Sequence, residues 1–143
     1  MPYRYLEDLA IADVAFEATG RTLEELFAAA ADATTNVMVA DLASIADRER
    51  RTILAEEQAP DMLLLALLQE LVYYKDAERL LLRVPEVHIR HTDGGLTLAA
   101  EARGERLDAV KHVLLVDVKA VTMHHFEVTQ TEDGWHATVV LDI

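Results

Sequence analysis

Residues 80–100 read "LLLRVPEVHIRHTDGGLTLAA", and this stretch decides the fold. Before it, apolar residues recur at helical intervals. From Leu80 onward the period becomes two, the signature of a strand with one covered face. Leu80 to Thr92 reads as one strand, kinked at Pro85. Asp93-Gly94-Gly95 is a hairpin signal, and Leu96, Leu98 and Ala100 resume the alternation on the way back. A hairpin commits its two strands to antiparallel pairing.

The same reading extends both ways. Val113 to Gln130 forms a long alternating segment, Glu132 to Gly134 turns the chain, and Trp135 to Ile143 returns. Upstream, Tyr3 to Leu6 is a short strand. Val14, Phe16 and Ala18 mark a second, and Glu49 to Glu57 an exposed, charge-rich third. Two helices interrupt them. Thr22 with Glu25 three residues on makes a capping box, and Leu23, Leu26, Phe27 and Ala30 carry a helix from Leu23 to about Val39. Pro60 and Asp61 suit the first turn of a second helix. That helix is apolar nearly all round from Met62 to Tyr74, the mark of burial on several sides. The expected fold is α+β. It is a two-layer sandwich, a mainly antiparallel sheet with both helices packed on one face. No linker or repeat divides the 143 residues, so one domain spans 1–143.

Composition excludes several functions. There is no cysteine, which removes disulfides, thiolate metal sites and cysteine nucleophiles. Asp and Glu number 26 against 13 Lys and Arg, a formal net charge of −13. Such a surface repels phosphate backbones, so little direct nucleic-acid binding is expected, and basic proteins or divalent cations suit it better. No secretory signal opens the chain. The longest apolar run, Met62 to Leu68, is far short of the roughly 20 residues that span a bilayer. A cytoplasmic protein without membrane partners is the expectation.

No phosphate-binding loop, nucleophile elbow or HExxH motif is present. Six histidines occur, at 88, 91, 112, 124, 125 and 136. His88 and His91 face opposite sides of a strand, as do His124 and His125, so structural or surface roles are expected. The carboxylates are more informative. Alternation along the last strand puts Trp135, Ala137, Val139, Leu141 and Ile143 on one face and Asp142 on the other. Ile143 can then anchor in the core while its carboxylate sits beside Asp142. If the strand after Asp13 pairs near the last one, three carboxylates converge, a set that suits a hard cation. A strand ending in a solvated acid is the plainer alternative. Lys119, expected to share a face with Asp117, Val121 and Met123, is either a surface lysine lying along the sheet or a docking charge.

Taken together, "YRYLED", "IADVAFEATGRTLEELFAAAADA", "LLALLQELVYYKD", "VKAVTMHHFEV" and the closing "VVLDI" resemble the archease family over nearly the full length and in order. The resemblance implies a non-enzymatic activator of an RtcB-type RNA ligase, which joins 3′-phosphate or 2′,3′-cyclic-phosphate ends to 5′-hydroxyl ends in tRNA splicing and RNA repair. The family member promotes guanylylation of the ligase and its repeated turnover. It also implies a metal site, read as Ca²⁺ with Mg²⁺ or Mn²⁺ as alternatives. Its ligands here would be Asp13, Asp142 and the terminal carboxylate or carbonyl of Ile143. Lys119 would be the functional lysine. On that reading the chain ends in Asp142-Ile143 because the terminus belongs to the site, and a tag extending past Ile143 would weaken activity. The family usually reads Glu-His-Thr-Ala-Asp near the start. Glu7 to Asp13 here reads "EDLAIAD", two residues longer and without the histidine. Rival classes are a chaperone-like modulator of a tRNA-modifying enzyme such as a methyltransferase, and a small metal-dependent hydrolase. The hydrolase lacks a base or nucleophile to accompany its acids.

Overall fold

Helix α1 starts where the capping residues place it. In the computed structural model, which describes residues 2–7 and 13–143, α1 spans Leu23–Met38 and the Thr22 hydroxyl accepts from the Glu25 N–H at 3.1 Å. Glu25 reaches back one residue further than a standard capping box, to the Arg21 N–H at 3.0 Å. Helix α2, Pro60–Glu78, begins on its proline and ends at Arg79, whose left-handed φ of 56° terminates it. Its Leu63, Leu64, Leu65, Leu67, Leu68, Leu71 and Val72 are all buried, as an all-round apolar helix requires. Among the described residues, no helix is long and apolar enough to cross a membrane.

The strands are β1 (Tyr3–Leu6), β2 (Val14–Gly20), β3 (Glu49–Glu57), β4 (Leu80–Thr92), β5 (Gly95–Arg106), β6 (Ala120–Thr131) and β7 (Gly134–Asp142). All their pairings are antiparallel. The hairpin expected around Asp93-Gly94-Gly95 is β4–β5, closed at Thr92↔Gly95, and the kink at Pro85 is a register shift between Arg83 and Glu86. At Gly104 the β4 backbone comes so close that a Cβ would sit 1.8 Å from the Leu81 carbonyl oxygen. Only glycine allows this approach.

The α+β class holds, but the strands divide between two sheets rather than forming one. The first runs β1-β2-β7-β6 and the second β3-β5-β4. Both helices touch both sheets. Helix α1 packs on β2 and β7 and on β4, and α2 packs on β3, β4 and β5 and on β6. The division arises because β5 and β6 are not a hairpin. The segment from 107 to 119 carries the chain from one sheet to the other.

That segment corrects a second expectation. Regular pairing begins only at Ala120, not at Val113. Among the described residues, the backbone before it makes one isolated bridge, Leu114 to Val39. Alternation of side chains is necessary for a strand but does not supply a partner, and among the described residues the backbone of 113–115 bonds only to residues 38–40. Strand β6 is itself interrupted between Thr122 and Glu127, where His125 takes a φ of 55°. A bulge there bends the edge strand of its sheet.

The core is continuous across both sheets, with Phe16, Leu26, Phe27, Leu63, Leu81 and Leu141 fully buried. Hydrogen bonds tie α1 to its neighbours. The Thr35 hydroxyl donates to the Leu82 carbonyl at 2.8 Å, and the Tyr5 hydroxyl to the Ala33 carbonyl at 2.8 Å.

Candidate metal and docking site at the end of the first sheet

Strand β2 pairs directly with β7, from Gly20↔Trp135 to Val14↔Leu141. One step beyond the last pair, Asp13 comes opposite Asp142. On the other side of β7, Ala120 pairs with Asp142, and the Lys119 N–H donates to the Asp142 carbonyl at 2.8 Å. The topology therefore brings Asp13, Asp142, Ile143 and Lys119 to one end of three adjacent strands. Asp13, Asp142 and Ile143 are half-buried and Lys119 is exposed.

Directly opposed residues of an antiparallel pair present their side chains on one face. Asp13 and Asp142 make no ion pair among the described residues. Two facing carboxylates with an adjacent main-chain oxygen are hard donors of the kind that Ca²⁺, Mg²⁺ or Mn²⁺ accept. They fit such an ion as a partial shell. Among the described residues no group of three His, Cys, Asp or Glu side chains completes one, whereas Ca²⁺ takes about 6–8 oxygens. The rest would come from main chain, water or a partner. Most of the "EDLAIAD" stretch, residues 8–12, lies outside the described residues.

The lysine is placed by a second lysine. Lys75, in the last turn of α2, is buried. Its Nζ donates to Asp117 Oδ1 at 2.5 Å and to the Val118 carbonyl at 2.7 Å, and pairs with Asp76 at 2.5 Å. Burial works against the charge, but the Asp117 and Asp76 carboxylates outweigh it and hold the ammonium above its usual range. This clamp fixes residues 117–118 directly before Lys119. Val118 and Val121 are both buried, three residues apart, so side chains do not alternate regularly between them. Regular alternation starts one residue after Lys119, and the clamp rather than a sheet ladder sets the orientation before it. Lys75 was readable as a candidate, since it follows Leu71 by four residues and so lies on the buried face of α2.

A separate charged cluster lies behind the connection. The Glu105 carboxylate accepts from the Ala46 N–H at 2.8 Å and from Lys111 Nζ at 2.5 Å, with His112 Nε2 at 2.9 Å and Arg48 Nε at 3.4 Å. The Ala46 N–H, then Lys111 and His112, hold the carboxyl down to about 2. His112 is fully enclosed. Its Nδ1 accepts from the Asp108 N–H at 3.0 Å, which leaves Nε2–H to donate to Glu105 in the neutral ring. Elsewhere, His136 pairs with Glu17 at 3.1 Å, and His124 and His125 lie edge to face.

Residues 3–143 match the Archease protein family (MTH1598/TM1083). The chain is 37% identical over 142 residues to Protein archease of Methanosarcina barkeri, covering 99% of this chain and 95% of that one. Its fold is similar to the solution structure of Methanobacterium thermoautotrophicum protein 1598, with a TM-score of 0.86 and 32% identity over 99% of each chain. It also resembles the crystal structure of an archease from Thermotoga maritima, described as a "possible chaperone", with a TM-score of 0.65 over 96% of each chain. At 17% identity that likeness concerns the fold alone.

Proposed function

This chain belongs to the archease family, and on that premise we propose that it activates an RtcB-type RNA ligase as a non-catalytic partner. It promotes guanylylation of the ligase and multiple turnover in tRNA splicing or RNA repair. Asp13, Asp142 and a main-chain oxygen of Ile143 hold a divalent cation, Ca²⁺ or alternatively Mg²⁺ or Mn²⁺. Lys119 meets the ligase beside that ion. The single observation that supports this reading is the register. The pairs Val14↔Leu141 and Ala120↔Asp142 gather two carboxylates and a lysine at one strand end. A cation held by a partial shell can be presented to, or exchanged with, an enzyme that supplies the remaining ligands. The charge of −13 steers the chain toward a basic ligase surface rather than toward RNA itself.

The test is multiple-turnover ligation by the RtcB-type ligase of the same organism, alone, with this chain, and with its Asp142→Ala form. Stimulation by the native chain and its loss in the variant is the expected result. Equal stimulation by the variant would remove the metal from the mechanism, and none by the native chain would remove the ligase. A second reading is a chaperone-like modulator of a tRNA-modifying enzyme such as a methyltransferase. The row of exposed apolar residues at 113–116 favours it. It predicts suppression of aggregation that survives Asp142→Ala.

A further inference from the structure

We propose that residues 113–116 are an open strand edge that takes up an extended, apolar segment of the ligase by β-strand addition. This rests on the ligase reading above and names where the partner docks. Val113, Leu114, Leu115 and Val116 are 64%, 37%, 56% and 43% exposed, and nearby Val110 is 98% exposed. Scattered exposed apolar residues are ordinary, but a contiguous run marks an interaction surface.

The backbone specifies what kind of partner fits. The Ala40 N–H donates to the Val113 carbonyl at 2.9 Å, and the Leu115 N–H to the Met38 carbonyl at 2.9 Å. Residues 113 and 115 therefore spend their main-chain groups on residues 38–40. The N–H and C=O of Leu114 point to the opposite side by the alternation of an extended chain. Among the described residues they meet no backbone partner. An edge of this kind is a template for another strand. The bulge in β6 blunts the neighbouring edge, while residues 113–116 carry no such protection and no charge.

The occupant follows from these features. The free edge demands an extended backbone, and Val and Leu side chains demand apolar residues at alternate positions. A second copy of this chain would bring −13 against −13, so a partner with basic flanks is favoured. The edge is also continuous with the candidate site. Lys119 lies three residues beyond Val116, and Lys75 clamps the residues between them. A strand docked at 113–116 would therefore set the distance from the partner to Lys119 and Asp142.

The test titrates the native chain, Leu115→Asp, Val116→Ser and Asp142→Asn into multiple-turnover ligation by the ligase of the same organism. The Leu115 and Val116 side chains are exposed, so both variants should melt as the native chain does. The expected result is a half-maximal concentration raised about tenfold for Leu115→Asp, less for Val116→Ser, with the plateau kept. Asp142→Asn should lower the plateau without moving the midpoint. Hydrogen exchange should show the Leu114 amide protected when the ligase is added. Unchanged midpoints with native stimulation would overturn the edge and leave the ligase reading standing. No stimulation by the native chain would overturn both. A dimer of the free chain that Leu115→Asp dissociates in sedimentation would assign the edge to a second copy and overturn the proposal.

Discussion

Glu105 and Asp142 are both acids near strand ends, and the chain treats them in opposite ways. Glu105 has Lys111, His112, Arg48 and a main-chain N–H gathered around one carboxylate. Asp142 faces a second acid, Asp13, by register and has no ion pair among the described residues. A carboxylate neutralised from within serves the fold. One with a like charge opposite receives no such neutralisation from the described residues. The contrast separates an acid satisfied within the fold from one that is not more sharply than burial does.

The largest effect should come from breaking the satisfied end of this comparison. Glu105→Ala leaves Lys111, His112 and the Ala46 N–H without their common acceptor. It should cost about 3 kcal/mol, read as a lowered denaturation midpoint with an unchanged slope. The same carboxyl gives a pH test. Its folded-state pKa is about 2 against an ordinary 4.5, so its stabilisation is complete above 4.5 and is lost as pH falls from there toward 2. Native protein should lose stability through that window more steeply than Glu105→Ala, whose acid limb should be flatter.

A middle effect sharpens the role of the clamp. Lys75→Met keeps the apolar stem but leaves the buried Val118 carbonyl without its donor, at a cost of about 1–2 kcal/mol. Faster hydrogen exchange at residues 113–119, more than elsewhere, is the expected signature. The smallest stability effect belongs to the candidate site. Asp142→Asn should change stability by no more than about 0.5 kcal/mol, and in the stabilising direction, since it relieves repulsion with Asp13. Metal titration followed by calorimetry should lose its heat in this variant. A large loss of stability instead would place Asp142 with Glu105 as a structural acid.

How far the sequence could be read follows the same physics. The β4–β5 hairpin, both helices and the last strand were legible, because each is set by local turn chemistry, capping or alternation. The site was partly legible. Alternation put Asp142 and Ile143 at a strand end, but that β2 lies beside β7 could only be posed as a condition. Pairing between strands so far apart leaves no local trace. The division into two sheets and the late start of β6 both depend on the segment at 107–119, whose course is fixed by Lys75 and Glu105 from elsewhere. Parity would also turn Glu105 outward, opposite Gly104. It is enclosed because residues 111–112 fold back over it.

The pairing of β2 with β7 has a consequence for how the protein comes into being. Glu17 and its partner His136 are 119 residues apart, and β7 is an inner strand of its sheet. During synthesis, β1, β2, both helices and the whole second sheet emerge before the strand that joins β2 to β6 exists. Closing so long a loop is slow and comes late. The two carboxylates can meet only once that last strand is seated, so the candidate site is a record that folding has finished. A nascent or truncated chain would offer its acids singly and should give no metal response.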